Sequence, residues 1–345
     1  MDETRFTKYL KKEIKRPKSH DSNLVALDLF AGCGGLALGF EAQQFNTIGI
    51  ESNHDASQTY NRNLRGTCYS DTLEIGYKYP IARPTVIIGG PPCQPFSVGG
   101  LQKGLKDSRD GFPIFIDAIR RLRPKLALFE NVRGMLYRNK SYFSEIIAAI
   151  RSLDYIVEYT ILNSVDFAVP QRRERLIVVA HRGRWEWPVP LTIPKFTAGE
   201  ALGALAFEIP DDSKFLTKSM DKYVAKYEKK SHCINPRDLH LDRPARTVTC
   251  RNLHGATGDM HRILLPDGRR RRLRVREGAR LQSFPDWFHF CGPEGSQFNQ
   301  IGNAVPPLFS SFLAKSVKKT LNGTKLKLED VRHANRTGQL ELGFG

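Results

Sequence analysis

The sequence predicts an α/β fold in which a doubly wound, mostly parallel sheet is accompanied by a second, smaller and irregular domain. Up to residue 181, short apolar runs typical of buried strands alternate with segments of helical composition. A glycine-rich turn follows the first of these runs. From residue 184 to about residue 268 the chain is punctuated by proline and has few long periodic segments.

The apolar runs predict the strands, and the segments between them predict the helices that cover the sheet. We expect strands at residues 24–30, 46–51, 86–88, 126–129, 155–162 and 175–180. We expect helices at residues 36–43, 54–63, 114–122 and 141–153. Asn53 is a candidate N-cap, and Pro113 suits the first turn of its helix. Regularity returns at residues 275–282, and a last helix begins at Pro306-Pro307 and ends near residue 321.

The change of character at residue 184 sets the predicted domain boundaries. Residues 1–23 are rich in lysine and are expected to form a loose, basic N-terminal arm. The expected domains are an α/β domain at residues 24–183 and a small, irregular domain at residues 184–290. A returning segment at residues 291–325 completes the α/β domain, and residues 326–345 form a C-terminal tail.

The net charge of +17 and a pI near 9.7 indicate a polyanionic partner. A dense group of arginines stands out, with Glu277 as its only acid: Arg269, Arg270, Arg271, Arg272, Arg274, Arg276 and Arg280. This group is interpreted either as a strip that contacts phosphates or as a solvated basic face.

The cysteines indicate a reducing compartment. The six cysteines form no Cys-x-x-Cys pair and no spacing with histidine that is typical of zinc, so no metal is expected. The sequence has no signal peptide and no apolar run of about 18 residues. We therefore expect a cytoplasmic protein with no membrane partner, whose cysteine chemistry is nucleophilic.

Two segments indicate where chemistry takes place. Gly32-x-Gly34-x-x-Ala37 follows the first predicted strand, and Glu51 ends the second, where a carboxylate can accept both hydroxyls of a ribose. This pattern indicates a nucleoside cofactor and does not separate NAD from S-adenosylmethionine. In the sequence GGPPCQPFS, at residues 89–97, a loop shaped by glycine and proline presents Cys93 after a strand. Most cysteines are buried and inert, but the flanking prolines favour a rigidly presented nucleophile.

Five blocks resemble, in order and spacing, those of the DNA cytosine-5 methyltransferase family. They are DLFAGCGG at residues 28–35, GGPPCQPFS at 89–97, FENV at 129–132, PQRRER at 170–175 and QIGNAVPP at 300–307. The resemblance extends from about residue 24 to about residue 321. By this resemblance, residues 24–183 are expected to be the catalytic and cofactor-binding domain, and residues 184–290 are expected to contain the target-recognition region. It implies an enzyme that transfers a methyl group from S-adenosylmethionine to carbon 5 of a flipped-out cytosine in a specific short sequence of double-stranded DNA.

The resemblance also implies roles for individual residues. Cys93 is expected to add to carbon 6 of the cytosine, and Glu130 to stabilise the charge at N3. Arg175 is expected near the target base and Arg173 near Glu130 or a phosphate, with Arg172 facing away. Asn131 and Gln94 complete the catalytic set. The expected cofactor-binding residues are Phe30, Gly32, Gly34, Leu36, Glu51, Asp71, Pro92, Asn303 and Val305.

Asp71 is expected to accept a hydrogen bond from the adenine amino group, although Thr72 stands where the family often has an aliphatic residue. The family usually has leucine or phenylalanine where Pro113 stands, which puts the path of the preceding loop in question. That loop, at residues 94–111, is expected to close on the substrate. The candidate DNA contacts are Ser97, Gln102, Lys103, Arg246, Thr247, Arg251, Asn252 and His254.

We expect a bacterial or phage enzyme that acts as a monomer, beside a cognate restriction endonuclease without a stable complex, or alone. Three alternatives stay open. A tRNA cytosine-5 methyltransferase of the same family would carry a Cys-Phe-Thr signature, which is not found. An NAD-dependent oxidoreductase would leave the Pro-Cys-Gln, Glu-Asn-Val and Gln-x-Arg-x-Arg motifs without purpose. A silent DNA-binding paralogue would typically lack the nucleophile, whereas Cys93 is present.

Overall fold

A computed structural model describes residues 3–18, 22–92, 110–230, 232, 238–255, 258–324 and 326–337. The chain divides into two compact units. The sheet unit comprises Pro17–Asn163, Glu174–Val189 and Ser310–Gly345. The small unit comprises Met1–Arg16, Ser164–Arg173 and Pro190–Phe309. The boundaries drawn from the sequence, which are linear segments, remain predictions.

The sheet unit is built on a seven-stranded sheet with the order β3-β2-β1-β4-β5-β7-β6. The strands are β1 (Val25–Leu29), β2 (Asn46–Glu51), β3 (Thr67–Ser70), β4 (Val86–Gly89), β5 (Leu126–Val132), β6 (Ile156–Asn163) and β7 (Glu174–His181). Strands β1 to β5 pair in parallel, whereas β7 pairs antiparallel with both β5 and β6. The predicted mostly parallel, doubly wound fold is confirmed. Strand β3 was not predicted, because Cys68 is its single buried residue and the strand has no apolar run.

The order of the strands reverses at β1, which lies between β2 and β4. Leu29 pairs with Ile50 on one side and with Gly89 on the other, and Gly89 pairs with Phe129. The carboxyl ends of four strands therefore reach the same edge of the sheet. In open α/β sheets the crevice at such a reversal is where ligands bind.

Helices cover both faces of this sheet. They are α2 (Gly35–Ala42), α3 (His54–Asn63), α4 (Phe112–Leu122), α5 (Gly134–Arg138), α6 (Lys140–Arg151), α12 (Pro307–Asn322) and α13 (Leu328–Thr337). Asn53 caps α3 by accepting a hydrogen bond from the Ala56 N–H, as predicted, and Pro113 lies in the first turn of α4. Helix α13 follows the helix that the sequence indicated as the last.

The core of the sheet unit includes a cluster of aromatic side chains between α4 and β5. The rings of Phe112 and Phe115 meet the ring of Phe129 edge to face, with centroids 5.2 and 5.6 Å apart. All three side chains are buried. Edge-to-face packing of this kind stabilises a core beyond the area that it buries, so β5 is held firmly just before its functional end.

The N-terminal residues form helix α1 (Arg5–Glu13), so the expectation of a loose arm is wrong. Phe6 and Leu10 lie one helical turn apart and are both buried. The Phe6 ring meets Phe196 at 5.3 Å, and the Arg5 guanidinium pairs with the Glu200 carboxylate at 2.6 Å. A lysine-rich composition concealed this amphipathic pattern, which packs the helix into the small unit.

Most of the other helices and strands of the small unit are short. They are α7 (Ala198–Leu202), α8 (Lys218–Lys230), α9 (Cys250–His254), α10 (Val275–Leu281) and α11 (Glu294–Asn303), with the hairpin β8 (Arg262–Leu264) and β9 (Arg270–Arg272). Helix α8 has 13 residues and lies in the region expected to be irregular. Val224 is its single buried residue, so the apolar periodicity that identifies a helix is missing.

Most of the dense arginine group is used to hold the small unit together, which corrects its interpretation as a strip of phosphate contacts. The Arg271 and Glu277 side chains are fully buried and paired at 2.7 Å, and Arg271 also donates to two backbone carbonyls. Arg276 donates to two further carbonyls. The arginines that pair with acids elsewhere in the unit are Arg269, Arg270, Arg274 and Arg280.

In the part of the chain that the structure describes, no helix is both long and apolar enough to cross a membrane.

Gly39 of α2 lies against α12, where an added Cβ would approach the Ser311 backbone nitrogen to 2.5 Å. Gly39→Ala is therefore expected to lower the free energy of unfolding by about 1–3 kcal/mol, because the two helices would be forced apart. The control is Gly134→Ala in α5, where a Cβ would meet nothing within 4 Å. That variant should be neutral or more stable by up to about 1 kcal/mol. Urea unfolding measures both, and equal stability of the two variants would contradict the close approach.

Candidate active site

The turn after β1 has a backbone that few residue types adopt. Phe30, Gly32 and Gly34 have φ angles of 59°, 54° and 86°. Gly34 needs its missing side chain, since a Cβ there would come within 2.8 Å of the Tyr60 ring. A Cβ on Gly32 would meet no described atom within 4 Å, so the backbone there is open on that side. A turn of this kind lets a ligand approach the main chain closely.

Glu51 ends β2 beside this turn, and the backbone fixes both of its carboxylate oxygens. Oε2 accepts a hydrogen bond from the Gly32 N–H at 2.8 Å, and Oε1 accepts one from the Asn53 N–H at 2.7 Å. A carboxylate has about four acceptor sites. The Ser52 hydroxyl makes a longer contact with Oε1 at 3.5 Å. The carboxylate is therefore oriented, and acceptor capacity remains for hydrogen bonds from the hydroxyl groups of a ligand.

Asp71 follows β3 and is also held in place. Its Oδ1 accepts from the Thr72 N–H and its Oδ2 from the Tyr77 hydroxyl, both at 2.8 Å. The Tyr77 ring packs edge to face against Tyr79, and the Arg121 guanidinium donates to the Tyr77 carbonyl at 2.9 Å. Burial and the contact with Asp71 raise the pKa of Tyr77 to about 12, so its hydroxyl remains a donor at neutral pH. Sequence reasoning missed Tyr77 because it lies in an irregular segment with no motif.

Glu130 lies near the end of β5 and forms an ion pair with Arg175 of β7. The Arg175 Nε and Glu130 Oε1 atoms are 2.7 Å apart, and both side chains are mostly buried, at 13% and 12% exposure. Glu130 is paired in the sheet with Ile177, two residues from Arg175, so the two side chains share one face. Oε1 is buried and accepts no well-directed hydrogen bond from any described residue. The arrangement holds a carboxyl group in place while leaving it acceptor capacity.

The segment that leads to Cys93 is fastened beside this carboxyl. The Asn131 amide donates to the Pro91 carbonyl at 3.0 Å, and the Gly111 N–H donates to the Pro92 carbonyl, also at 3.0 Å. A Cβ on Gly90 would lie 4.0 Å from Glu130 Oε2. The backbone on both sides of residues 93–109 is therefore anchored next to Glu130.

Five of the expected site residues lie outside the described residues: Cys93, Gln94, Ser97, Gln102 and Lys103. Two other cysteines near the glycine turn are poor nucleophiles. Burial raises the pKa of the Cys33 thiol to about 12 and raises that of Cys68 as well, and neighbouring carboxylates add to both shifts. Both side chains are almost inaccessible. Their thiols stay protonated at neutral pH, and the candidate nucleophile remains Cys93.

Arg173 is placed differently from the expectation, which set it near Glu130 or a phosphate. It lies in the small unit, 2% exposed, and its guanidinium donates to the carbonyls of Val248, Gly302 and Ala304 at 2.7, 3.3 and 3.2 Å. The Gly302 and Ala304 carbonyls lie on either side of Asn303 in the chain. Arg173 therefore supports the segment that carries Asn303 and Val305, and its guanidinium is already bonded to backbone carbonyls.

The expected DNA contacts of the small unit fall into two groups. Asn252 is buried, caps α9 through Thr249 and donates to the Thr247 carbonyl at 2.7 Å. Its amide is thus occupied, and we no longer expect Asn252 to read a base. Arg246 and Arg251 both pair with Asp259, although the Arg251 side chain is 75% exposed. Arg251 and His254 are exposed, whereas Thr247 is partly buried and its hydroxyl donates to the Arg172 carbonyl at 2.7 Å.

The strand order, with its reversal at β1, defines a Rossmann-like α/β class of protein. The model of the family described as C-5 cytosine-specific DNA methylase matches residues 24–319, which is most of the chain. The chain belongs to this family. The family and the enzyme class expected from the motifs are confirmed.

Similar proteins support the same assignment. The chain is 60% identical to a Type II methyltransferase, M.AplI of Arthrospira platensis, over 92% of each chain. It is 31% identical to the Type II methyltransferase M1.HphI of Haemophilus parahaemolyticus, over 86% of this chain and 87% of that one.

Solved structures share the fold. One is a putative DNA modification methyltransferase encoded within an E. coli prophage, with a TM-score of 0.64 and 21% identity, covering 87% of this chain and all of that one. Another is DNMT2 of Spodoptera frugiperda, with a TM-score of 0.66 and 18% identity, covering 86% of this chain and all of that one.

The buried position of Arg173 leads to a prediction about stability. Arg173→Lys loses most of the donors to the three carbonyls and is expected to lower the free energy of unfolding by about 2–4 kcal/mol. The neighbouring Arg172 is exposed, so Arg172→Lys is the matched control and should change stability by less than about 0.5 kcal/mol. The comparison is made by urea unfolding. An Arg173→Lys protein as stable as its control would show that the buried carbonyls do not depend on this guanidinium.

Proposed function

We propose that this enzyme transfers the methyl group of S-adenosylmethionine to carbon 5 of a cytosine in a specific short sequence of double-stranded DNA. Catalysis proceeds through a covalent bond between the sulfur of Cys93 and carbon 6 of the base. The observation that carries the proposal is the Glu130 carboxyl, which is paired with Arg175 and lies beside the anchored segment that leads to Cys93.

The reacting base explains why a thiol and a carboxyl are needed together. Carbon 5 of cytosine is a weak nucleophile because its electrons belong to an aromatic ring. Addition of a thiolate to carbon 6 breaks the aromaticity and moves electron density toward N3, where Glu130 supplies a proton. Carbon 5 then has the character of an enamine and attacks the methyl group. Loss of the carbon 5 proton to a base, expulsion of the thiolate and return of the N3 proton to the Glu130 carboxylate restore the ring and free Cys93.

The roles of the other site residues follow from their contacts. Arg175 keeps the Glu130 carboxyl facing one direction through a short ion pair in a mostly buried site. Asn131 holds the Pro91 carbonyl and so fixes the start of the cysteine loop relative to β5. Gln94 is proposed to act beside Cys93.

S-adenosylmethionine fits the crevice at the end of β1. The proposed binding residues in the sheet unit are Phe30, Gly32, Gly34, Leu36, Glu51, Asp71 and Pro92. For Asn303 and Val305 of the small unit, the proposal rests on the resemblance of their motif alone. The free acceptor sites of Glu51 suit the ribose hydroxyls, and the acceptor sites left on Asp71 suit the adenine amino group. The open space at Gly32 leaves room for the ligand against the turn. When bound, the cofactor supplies the electrophilic methyl group.

The target carbon atoms are not accessible inside a stacked duplex, so the cytosine must rotate out of the helix at a cost of a few kcal/mol. Contacts with phosphates and base edges offset this cost and select the sequence. We assign recognition to residues 184–290, with Arg246, Thr247, Arg251 and His254 as candidate contacts, together with Ser97, Gln102 and Lys103. We further propose a cytoplasmic monomer that modifies DNA beside a restriction endonuclease, without a stable complex.

Removal of the carboxyl at residue 130 tests the acid. Glu130→Gln keeps the shape of the side chain and is expected to reduce the turnover number by about 10²–10⁴-fold, because no group would protonate N3. Cofactor affinity should stay within about threefold of the wild type, since Glu130 is not assigned to the cofactor. Glu174→Gln is the control, since Glu174 is 43% exposed and pairs with Arg133. Equal turnover in Glu130→Gln and the control would remove Glu130 from the mechanism.

The function itself is tested by bisulfite sequencing of plasmid DNA from cells that express the wild type or Cys93→Ala. We expect cytosines protected from conversion at one recurring short sequence, and no protection in the variant. A duplex with 5-fluorocytosine at that site should form a complex with the wild type that survives denaturation, because fluorine cannot leave as the carbon 5 proton does. Complete conversion with soluble wild-type protein would reject DNA methylation, and methylation of tRNA would then be the activity to assay.

A further inference from the structure

Helix α8 of the small unit has its charges separated onto opposite sides. The helix contains two acids, Asp221 and Glu228, and both turn inward. Asp221 pairs with Arg270 at 3.5 Å, and Glu228 pairs with Arg262 at 3.0 Å. Arg262 is fully buried and Val224 is the buried apolar residue of the helix, so this side of α8 is the one that packs.

The lysines of the helix lie on the other side. They are Lys218, Lys222, Lys226, Lys229 and Lys230, all exposed, and we call them the lysine face. With about 100° of rotation per residue, Lys222 and Lys226 point about 160° away from Val224, and Lys229 about 140° away. No described residue forms an ion pair or a hydrogen bond with any of these five ammonium groups. The positive charge of the lysine face is therefore uncompensated.

This surface contrasts with the arginine group at residues 269–280. There, six of the seven guanidinium groups are engaged with acids or backbone carbonyls. The two acids of α8 likewise pair with Arg262 and Arg270 and not with the lysines of the helix. The arginines at residues 269–280 are thus mostly engaged within the small unit, whereas the lysines of α8 are exposed. A lysine ammonium acts as a point charge that suits contact with phosphate and carries no base preference.

We propose that the lysine face of α8 binds the phosphate backbone of the DNA duplex. The inference rests on the proposed function, since it requires DNA as the substrate, and it assigns part of the affinity to a surface that reads no sequence. Lys222 and Lys229 are separated by about 10 Å along the helix, and phosphates of one strand recur about every 3.4 Å of duplex axis. The central lysines can thus each meet a different phosphate.

The dependence of DNA affinity on salt tests the proposal. The test variant is Lys222→Gln, Lys226→Gln and Lys229→Gln combined, in which glutamine keeps the helix propensity while removing three charges. For each lost phosphate contact, the slope of log K against log salt should become shallower by about 0.9. If all three lysines are in contact, the affinity lost between about 50 and 200 mM salt should shrink by a factor on the order of 40.

Two further variants separate this effect from general loss of charge or folding. The triple substitution of the same lysines to arginine keeps the charge and should keep the wild-type slope. Lys8→Gln, Lys12→Gln and Lys15→Gln combined removes three exposed charges near α1 and should also keep it. The sequence that is methylated should be the same in every variant, because the lysine face reads no bases. Thermal unfolding checks that the proteins are folded.

The outcomes separate the two proposals. A wild-type slope in the glutamine variant, with normal DNA binding, would overturn the role of α8 and leave the methyltransferase function standing. An equal change of slope in the variant with the three substitutions near α1 would also overturn the role of α8. The effect would then come from net charge and not from the position of the lysines. A wild-type protein that binds no DNA would overturn both proposals, and the same titration with tRNA would show whether the lysine face serves RNA.

Discussion

The parallel pairing of β1 with β2 and β4 is the constraint on which the site depends. Parallel strands in register end at the same edge of the sheet, so the residues that follow Leu29, Ile50 and Gly89 emerge together although they are distant in sequence. The pairing of β4 with β5 adds Glu130 to this edge. The glycine turn, Glu51, the segment that ends at Pro92 and Glu130 are thus brought to one edge of the sheet, where open α/β sheets bind their ligands.

Charge in this protein is used in two distinct ways. Buried guanidinium groups act as multiple donors: Arg173 binds three carbonyls, and Arg271 combines two carbonyls with the Glu277 carboxylate. A planar group with five donors suits such positions, whereas removal of either partner of a buried pair leaves an uncompensated charge. Lysines remain on the surface because a compact, strongly hydrated ammonium is costly to bury. Arg173, whose buried guanidinium binds neutral carbonyls, counts toward the net charge of +17 although it is not available to a polyanion.

The elements that the sequence predicted differ from those that it missed in how many residues they bury. The strands with continuous apolar runs were identified to within a few residues, since burial on both faces leaves a local signal. Strand β3 and helix α8 lack that signal, because each buries a single residue. Helix α1 was obscured by its lysines, although Phe6 and Leu10 lie on one buried face. Local composition was a poor guide wherever an element relies on partners distant in the chain.

The sequence by itself determined the fold class, the enzyme family and the residues proposed for the chemistry, because catalytic groups and glycine turns recur as short motifs. Only the tertiary structure decided what neighbouring arginines do. Arg173 and Arg175 are two residues apart, yet one supports the chain around Asn303 and the other pairs with Glu130. The structure likewise places Tyr77 beside Asp71, and it shows that most of the arginine group makes contacts within the small unit. Such contacts join residues far apart in the chain, and no local pattern encodes which partner a side chain will meet.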